Sequence, residues 1–158
     1  MTGAPTLVLL GGGFSDDPDT LLDDFVLETA GRPRPKSGVL LCGISAGACC
    51  WFESAFSDSF GPPVPLADGL GLLSGSLCPH YDSEPERRPG YLAAVKDRAL
   101  PGGWAVDDGA AGVFTDGRLV DVVTRKPGAT LRRVNVGADG AVTEAARPAR
   151  LLGAQDLA

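Results

Sequence analysis

The chain has 158 residues, enough for one domain that folds without a disulfide or metal staple. Hydrophobic residues at 44% and charged residues at 22% are ordinary for a globular protein, and the formal net charge of −6 argues against a nucleic-acid partner, since phosphate binding takes a positive field. No apolar run nears the ~20 residues that span a bilayer, the start lacks a basic region, and Leu7 to Leu10 is short for a leader core; a single cytoplasmic domain over residues 1–158 without a membrane partner is expected.

Residues 6–10 (TLVLL) form a continuous apolar run that stops at Gly11-Gly12-Gly13, the pattern of a strand buried on both faces. Asp16, Asp17 and Asp19, with Pro18 among them, are helix-start residues; Leu21, Leu22, Phe25, Val26 and Thr29 then recur at helical spacing until Gly31. Residues 39–44 read as a second buried strand, 46–53 as a helix, 57–65 as a loop, 77–81 as a short strand, and 85–99 as a helix stopped by Pro101-Gly102-Gly103. The last third turns to short β-type runs at 104–106, 112–115, 119–124, 131–136 and 142–144, with hairpin signals at Asp116-Gly117 and Asp139-Gly140. This order predicts an α/β three-layer sandwich with a mostly parallel central sheet and a C-terminal antiparallel hairpin region. The four cysteines (Cys42, Cys49, Cys50 and Cys78) make no paired CxxC set, so no metal or other cofactor is expected; Cys42 and Cys78 read as small core residues.

The stretch Gly43-Ile44-Ser45-Ala46-Gly47 lies between an apolar strand and a helix. That is the setting of a nucleophile elbow, in which flanking glycines permit a sharp bend and the serine stands above the carboxyl end of the sheet. The Ala46 amide, at the helix start, faces the same space and can donate to an oxyanion. A plain strand–helix turn is the competing reading. A serine hydroxyl needs a base, and the chain has one histidine, His80, at the end of another expected strand beside a polar cluster. Asp58, Asp82, Glu84 and the pair Asp107-Asp108 are candidates to orient it.

GISAG, followed by DSFGP (58–62), DGLGLL (68–73), CPHYDSEPERRP (78–89) and PGGWAVDDG (101–109), resembles the peptidase E family of serine peptidases, also called aspartyl dipeptidases, whose fold is similar to class I glutamine amidotransferases. The resemblance implies that Ser45 is the nucleophile and His80 the base. It matches both Asp58 and Asp108 to acidic positions competing for the third place; Asp108, expected to end a strand near the histidine, is favoured and Asp58 is kept. The family's substrates, small peptides with an N-terminal aspartate, imply a cation for the side-chain carboxylate, and Arg87 or Arg88 can supply a bidentate partner.

Usual members of that family carry further βα units and a second glycine loop before the nucleophile, which donates to the oxyanion hole. Here Gly31-Arg32-Pro33-Arg34-Pro35 runs almost directly into the nucleophile strand. One helix and one strand separate Gly13 from Ser45, so the first βα unit is expected to occupy the missing unit's place, with Gly12 or Gly13 as the second oxyanion donor beside Ala46. A shortened sheet exposes an edge, which implies a homodimer or larger assembly. A catalytically weak remnant that keeps the fold for binding or assembly is the competing expectation.

Overall fold

The computed structural model describes residues 6–12, 20–31 and 40–153. The expectations at Gly13, at the acidic helix start of residues 16–19 and at the connector of residues 32–35 lie outside the described residues. In chain order the elements are β1 (Thr6–Leu10), α1 (Leu21–Gly31), β2 (Leu40–Ile44), α2 (Ala46–Cys49), β3 (Phe52–Ser57), β4 (Val64–Leu66) and β5 (Leu73–Cys78), followed by α3 (Arg87–Lys96), β6 (Gly103–Val106), β7 (Ala110–Thr115), β8 (Arg118–Thr124), β9 (Leu131–Val136), β10 (Val142–Ala146) and β11 (Arg150–Leu151).

The fold is α/β, but the mostly parallel central sheet is replaced by two mixed sheets, ordered β11-β8-β7-β1-β2 and β10-β9-β6-β5-β3-β4. Parallel pairing joins β1 to β2, β8 to β11, β3 to β5 and β5 to β6; the other pairings are antiparallel. The C-terminal β segments cause the difference. The β7–β8 hairpin docks on β1 and the β9–β10 hairpin docks on β6, so each hairpin extends a different sheet.

Side-chain alternation then sets the layers. Leu7 and Leu9 of β1 pack with Phe52, Leu77 and Trp104 of the second sheet, whereas Val8 and Leu10 pack with Leu22 and Phe25 of α1. On the far side, Tyr91, Ala94 and Val95 of α3 cover Phe56, Cys78, Ala105 and Val134. The expected three layers are therefore four: helix, sheet, sheet, helix. TLVLL is apolar throughout because one face meets a helix and the other meets a sheet. Phe114 of β7 fastens the two sheets, with its ring edge-on to Phe52 (6.0 Å between centroids) and to Trp104 (5.9 Å).

Two boundaries differ from the sequence reading for identifiable reasons. The helix expected over 46–53 stops at Cys49, because Phe52 is fully buried and β3 pairs in parallel with β5. The strand expected over 77–81 begins earlier, at Leu73: its Ser74-Gly75-Ser76 stretch is polar, but Ser76 is buried with its hydroxyl donating to Pro101 O at 2.6 Å. Asp116 and Gly117 form the two-residue turn between β7 and β8, both at positive φ (53° and 72°) as that turn demands. Asp139 and Gly140 lie in a longer connection between β9 and β10. Among the described residues no helix is long and apolar enough to cross a membrane.

Truncating Phe114 should open a cavity between the sheets. Phe114→Ala is expected to lower the unfolding free energy by about 3–5 kcal/mol in denaturant titration, whereas Val120→Ala, on the exposed part of β8, should change it by less than about 0.5 kcal/mol.

Candidate active site

Ser45 follows the last residue of β2 with φ 49° and ψ −119°, a conformation that costs a non-glycine residue about 1–3 kcal/mol. The bend is tight. A Cβ on Gly43 would lie 2.1 Å from Gly47 O, so glycine is required there; a Cβ on Gly47 would meet nothing within 4 Å, so the two flanking glycines are not equivalent. Hydrogen bonds hold the bend in place. Ser45 N–H donates to Leu10 O (3.2 Å), and Ser45 O accepts from the amides of Ala48 (2.9 Å) and Cys49 (3.0 Å). Ala46 opens α2, where first-turn amides have no partner within the helix.

His80 comes two residues after the end of β5 and also has positive φ, 54°. The amide of its neighbour Tyr81 donates to Val106 O (3.1 Å), and His80 O accepts from Glu84 N–H (3.2 Å). This brings Nε2 to 2.8 Å from Ser45 Oγ and Nδ1 to 2.8 Å from Asp108 Oδ1. In the neutral ring, a proton on Nδ1 donates to the carboxylate and leaves the Nε2 lone pair facing the hydroxyl. The hydrogen bond to Asp108 raises the His80 pKa above its ordinary 6.5, against the opposing pull of burial. The same bond holds the Asp108 carboxyl below its usual range.

Asp108 follows β6 by two residues, where the chain passes from the second sheet to the first. Its N–H donates to Asp82 Oδ1 (2.8 Å), and Lys126 Nζ donates to Asp82 Oδ2 (3.1 Å). Asp107 turns the other way: it is 1% exposed, accepts the Thr130 amide (3.0 Å) and takes Arg132 Nη1 at 2.6 Å on both oxygens. The Asp-Asp pair thus divides into one carboxylate anchoring the corner and one facing the imidazole. Sequence reasoning had no signal for Lys126, which is distant in the chain and lies in a loop.

β1 runs parallel beside the nucleophile strand, pairing Leu10 with Ile44, and its glycine loop reaches the same end. Gly12 lies directly against the His80–Asp108 pair: a Cβ there would sit 2.2 Å from Asp108 Oδ1 and 2.7 Å from His80 Nδ1 and Cε1. Gly12 O also accepts the Gly109 N–H (3.3 Å). The sequence marked this loop as an oxyanion donor; it did not reveal that the imidazole needs the missing side chain's space.

Asp58, the other acid weighed for the histidine, is paired instead with Arg87 Nη2 (2.7 Å), which holds its carboxyl below the usual range. Arg87 is 1% exposed and donates as well to Glu84 (2.5 Å) and to Phe56 O (3.0 Å). Its donors tie β3 to the histidine loop, which leaves little to offer a substrate carboxylate. Arg88 is 63% exposed and shares its guanidinium with Glu144 (2.9 Å) at a cavity of about 500 Å³ that Tyr81, Glu84 and Arg132 also line. A second cavity, about 300 Å³, adjoins Ala46 and is lined by Cys49, Cys50, Ser57, Asp68 and Leu70.

Cys78 is buried as expected, but Cys42 is exposed, because β2 is the outermost strand of its sheet among the described residues. Burial pushes the Cys49 thiol up to about 12, which makes it inert beside the nucleophile. Among the described residues, no group of three His, Cys, Asp or Glu side chains is placed to hold a metal ion.

A serine raised at a strand–helix bend, with an imidazole at its hydroxyl and a carboxylate behind the imidazole, is an arrangement by which α/β hydrolases perform acyl transfer. The model of Peptidase family S51 matches residues 6–122, and the chain belongs to that family. It is 40% identical over 147 residues to the uncharacterized peptidase YgaJ of Bacillus subtilis (strain 168), an alignment covering 93% of this chain and 63% of the relative. The chain therefore spans less than two thirds of that relative's length.

His80 is the sole histidine, so its NMR titration is free of overlap. The midpoint is expected above 6.5; Asp108→Asn should lower it, because the carboxylate that favours the charged ring is gone, and Asp58→Asn should move it less. A midpoint indifferent to Asp108→Asn would contradict the pairing described.

Proposed function

We propose that the chain is a serine peptidase that hydrolyses small peptides, dipeptides with an N-terminal aspartate first among them. The observation that carries this reading is the unbroken hydrogen-bonded line from Ser45 Oγ through His80 to Asp108, 2.8 Å at each step. Membership of a peptidase family supports the reaction class.

In this reading His80 Nε2 takes the Ser45 proton as Oγ attacks the peptide carbonyl, and Asp108 stabilises the imidazolium that forms. The Ala46 amide, with a second amide from the Gly12 loop, holds the developing oxyanion. His80 then gives its proton to the leaving amine, and water repeats the sequence on the acyl-enzyme. Arg88 is the cation for the substrate's aspartate side chain. Its guanidinium lies on the surface of a cavity and gives Nε and Nη2 to Glu144, so a substrate carboxylate would take Nη1 or displace Glu144, whereas Arg87 is buried with Nε, Nη1 and Nη2 all engaged.

Aspartyl dipeptide hydrolysis tests the reading. Ser45→Ala and His80→Ala should each lower kcat by more than about a thousandfold, Asp108→Asn by roughly ten-thousandfold, and Asp58→Asn by less than about tenfold. Equal rates in all variants would dismiss the mechanism. The base must be neutral to accept a proton, so kcat/KM should fall on the acid side with an inflection above the ordinary histidine value, and Asp108→Asn should shift that limb to lower pH.

A further inference from the structure

β6 runs toward Asp108 and β7 runs away from it, so the start of β6 and the end of β7 lie together at the far end of the sheet pair. There the sheets open on a cavity of about 610 Å³, lined by Ser74, Trp104, Arg118, Asp121, Arg133 and Arg147 among others. The Trp104 ring is fixed in the core by its edge-on contact with Phe114 (5.9 Å). Arg133, its cross-strand partner on β9, places Cζ 5.1 Å from the ring centroid, and Arg147 places Cζ at 5.5 Å. Both guanidiniums are thus held on a rigid aromatic with donors left over.

The charge at this spot runs against the rest of the molecule. The chain has 20 acidic and 14 basic residues, so acids are in excess, and Arg87, Arg88, Lys126, Arg132 and Arg150 all have carboxylate partners. No ion pair among the described residues involves Arg118, Arg133 or Arg147. The acid in the lining, Asp121, is already engaged by Arg150 (3.1 Å) and by the Val122 amide (2.8 Å). Three cations gathered around one concavity repel one another unless an anion joins them.

We propose that this cavity binds a small multivalent oxyanion, phosphoryl or polycarboxylate, independently of the Ser45 site. Guanidinium forks match either group in bidentate geometry, the Ser74 hydroxyl adds a neutral donor, and the volume suits a small ligand. Pyrophosphate and citrate are the probes, titrated calorimetrically into the full chain at constant ionic strength made up with sodium chloride. At least one should bind with 1:1 stoichiometry and raise Tm; the tighter of the two assigns phosphoryl or carboxylate chemistry. The double variant Arg118→Gln/Arg147→Gln should weaken binding at least tenfold, while Ser45→Ala should bind as the wild type does. Arg118 and Arg147 are exposed, so their loss should spare the fold; if the unliganded Tm of the double variant falls, Arg147→Gln alone carries the comparison. Binding of neither probe above the chloride control, or binding unchanged by the arginine variants, overturns the proposal.

Discussion

The site depends on a carboxylate that takes no part in it. Asp107 is 1% exposed at the corner where the chain leaves β6 in one sheet for β7 in the other. A charge in that position is costly unless its lone pairs are filled, and here they are: Arg132 donates to both oxygens and the Thr130 amide to one. The backbone reinforces the fit. The Asp107 amide donates to Thr130 O (3.1 Å), and Asp107 O accepts from Ala110 N–H (3.2 Å). With the corner pinned to β9 through these contacts, the next residue, Asp108, has little freedom, and its direction toward His80 follows from packing that lies below the site.

The remaining pieces arrive from separate elements and meet at the seam between the sheets. Ser45 ends a strand of the first sheet and His80 extends a strand of the second, so their 2.8 Å contact is also a contact between layers. Both residues have positive φ, an arrangement that persists only where the surroundings over-determine it. For Ser45 the surroundings are the ladder with Leu10 and the first turn of α2; for His80 they are the bonds through Tyr81 and Glu84. β1 matters on both counts. It flanks the nucleophile strand in parallel register, and its loop passes beneath the imidazole at Gly12, where any side chain would displace the ring.

Residues whose chemistry is local were legible in the sequence. Ser45 between its glycines, the lone His80 and the polar loop around it, and the hairpin turn at Asp116-Gly117 all announce themselves within a few positions. β1 and β9 were readable from pattern alone because their apolar spacing agrees with their final burial. The division into two sheets was not readable, because it depends on which edge each C-terminal hairpin joins, and β-type runs carry no mark of their partners. β3 was hidden for the same reason: Phe52-Glu53 continues the helix pattern of residues 46–53 until β5 offers the segment a parallel neighbour. The choice between Asp58 and Asp108 turned on Arg87, whose neighbour Arg88 looks identical in the chain. Burial of one and exposure of the other decides that Asp58 has a cation to answer and Asp108 has the histidine.

The same two-sheet construction gives the molecule two ends of opposite character. At the corner end, acids gather and each is matched: Asp82 by Lys126, Asp107 by Arg132, Asp108 by His80 and Glu144 by Arg88. That balance keeps the imidazole's partner singular, since a second unmatched carboxylate near His80 would compete for its proton. At the other end the hairpin β7–β8 and the strand β9 bring arginines together without such matching. Between the ends stands the contact of Trp104 with Phe114, which belongs to the core on one side and carries Arg133 and Arg147 on the other. The ring that packs between the sheets is therefore also the platform on which Arg133 and Arg147 rest.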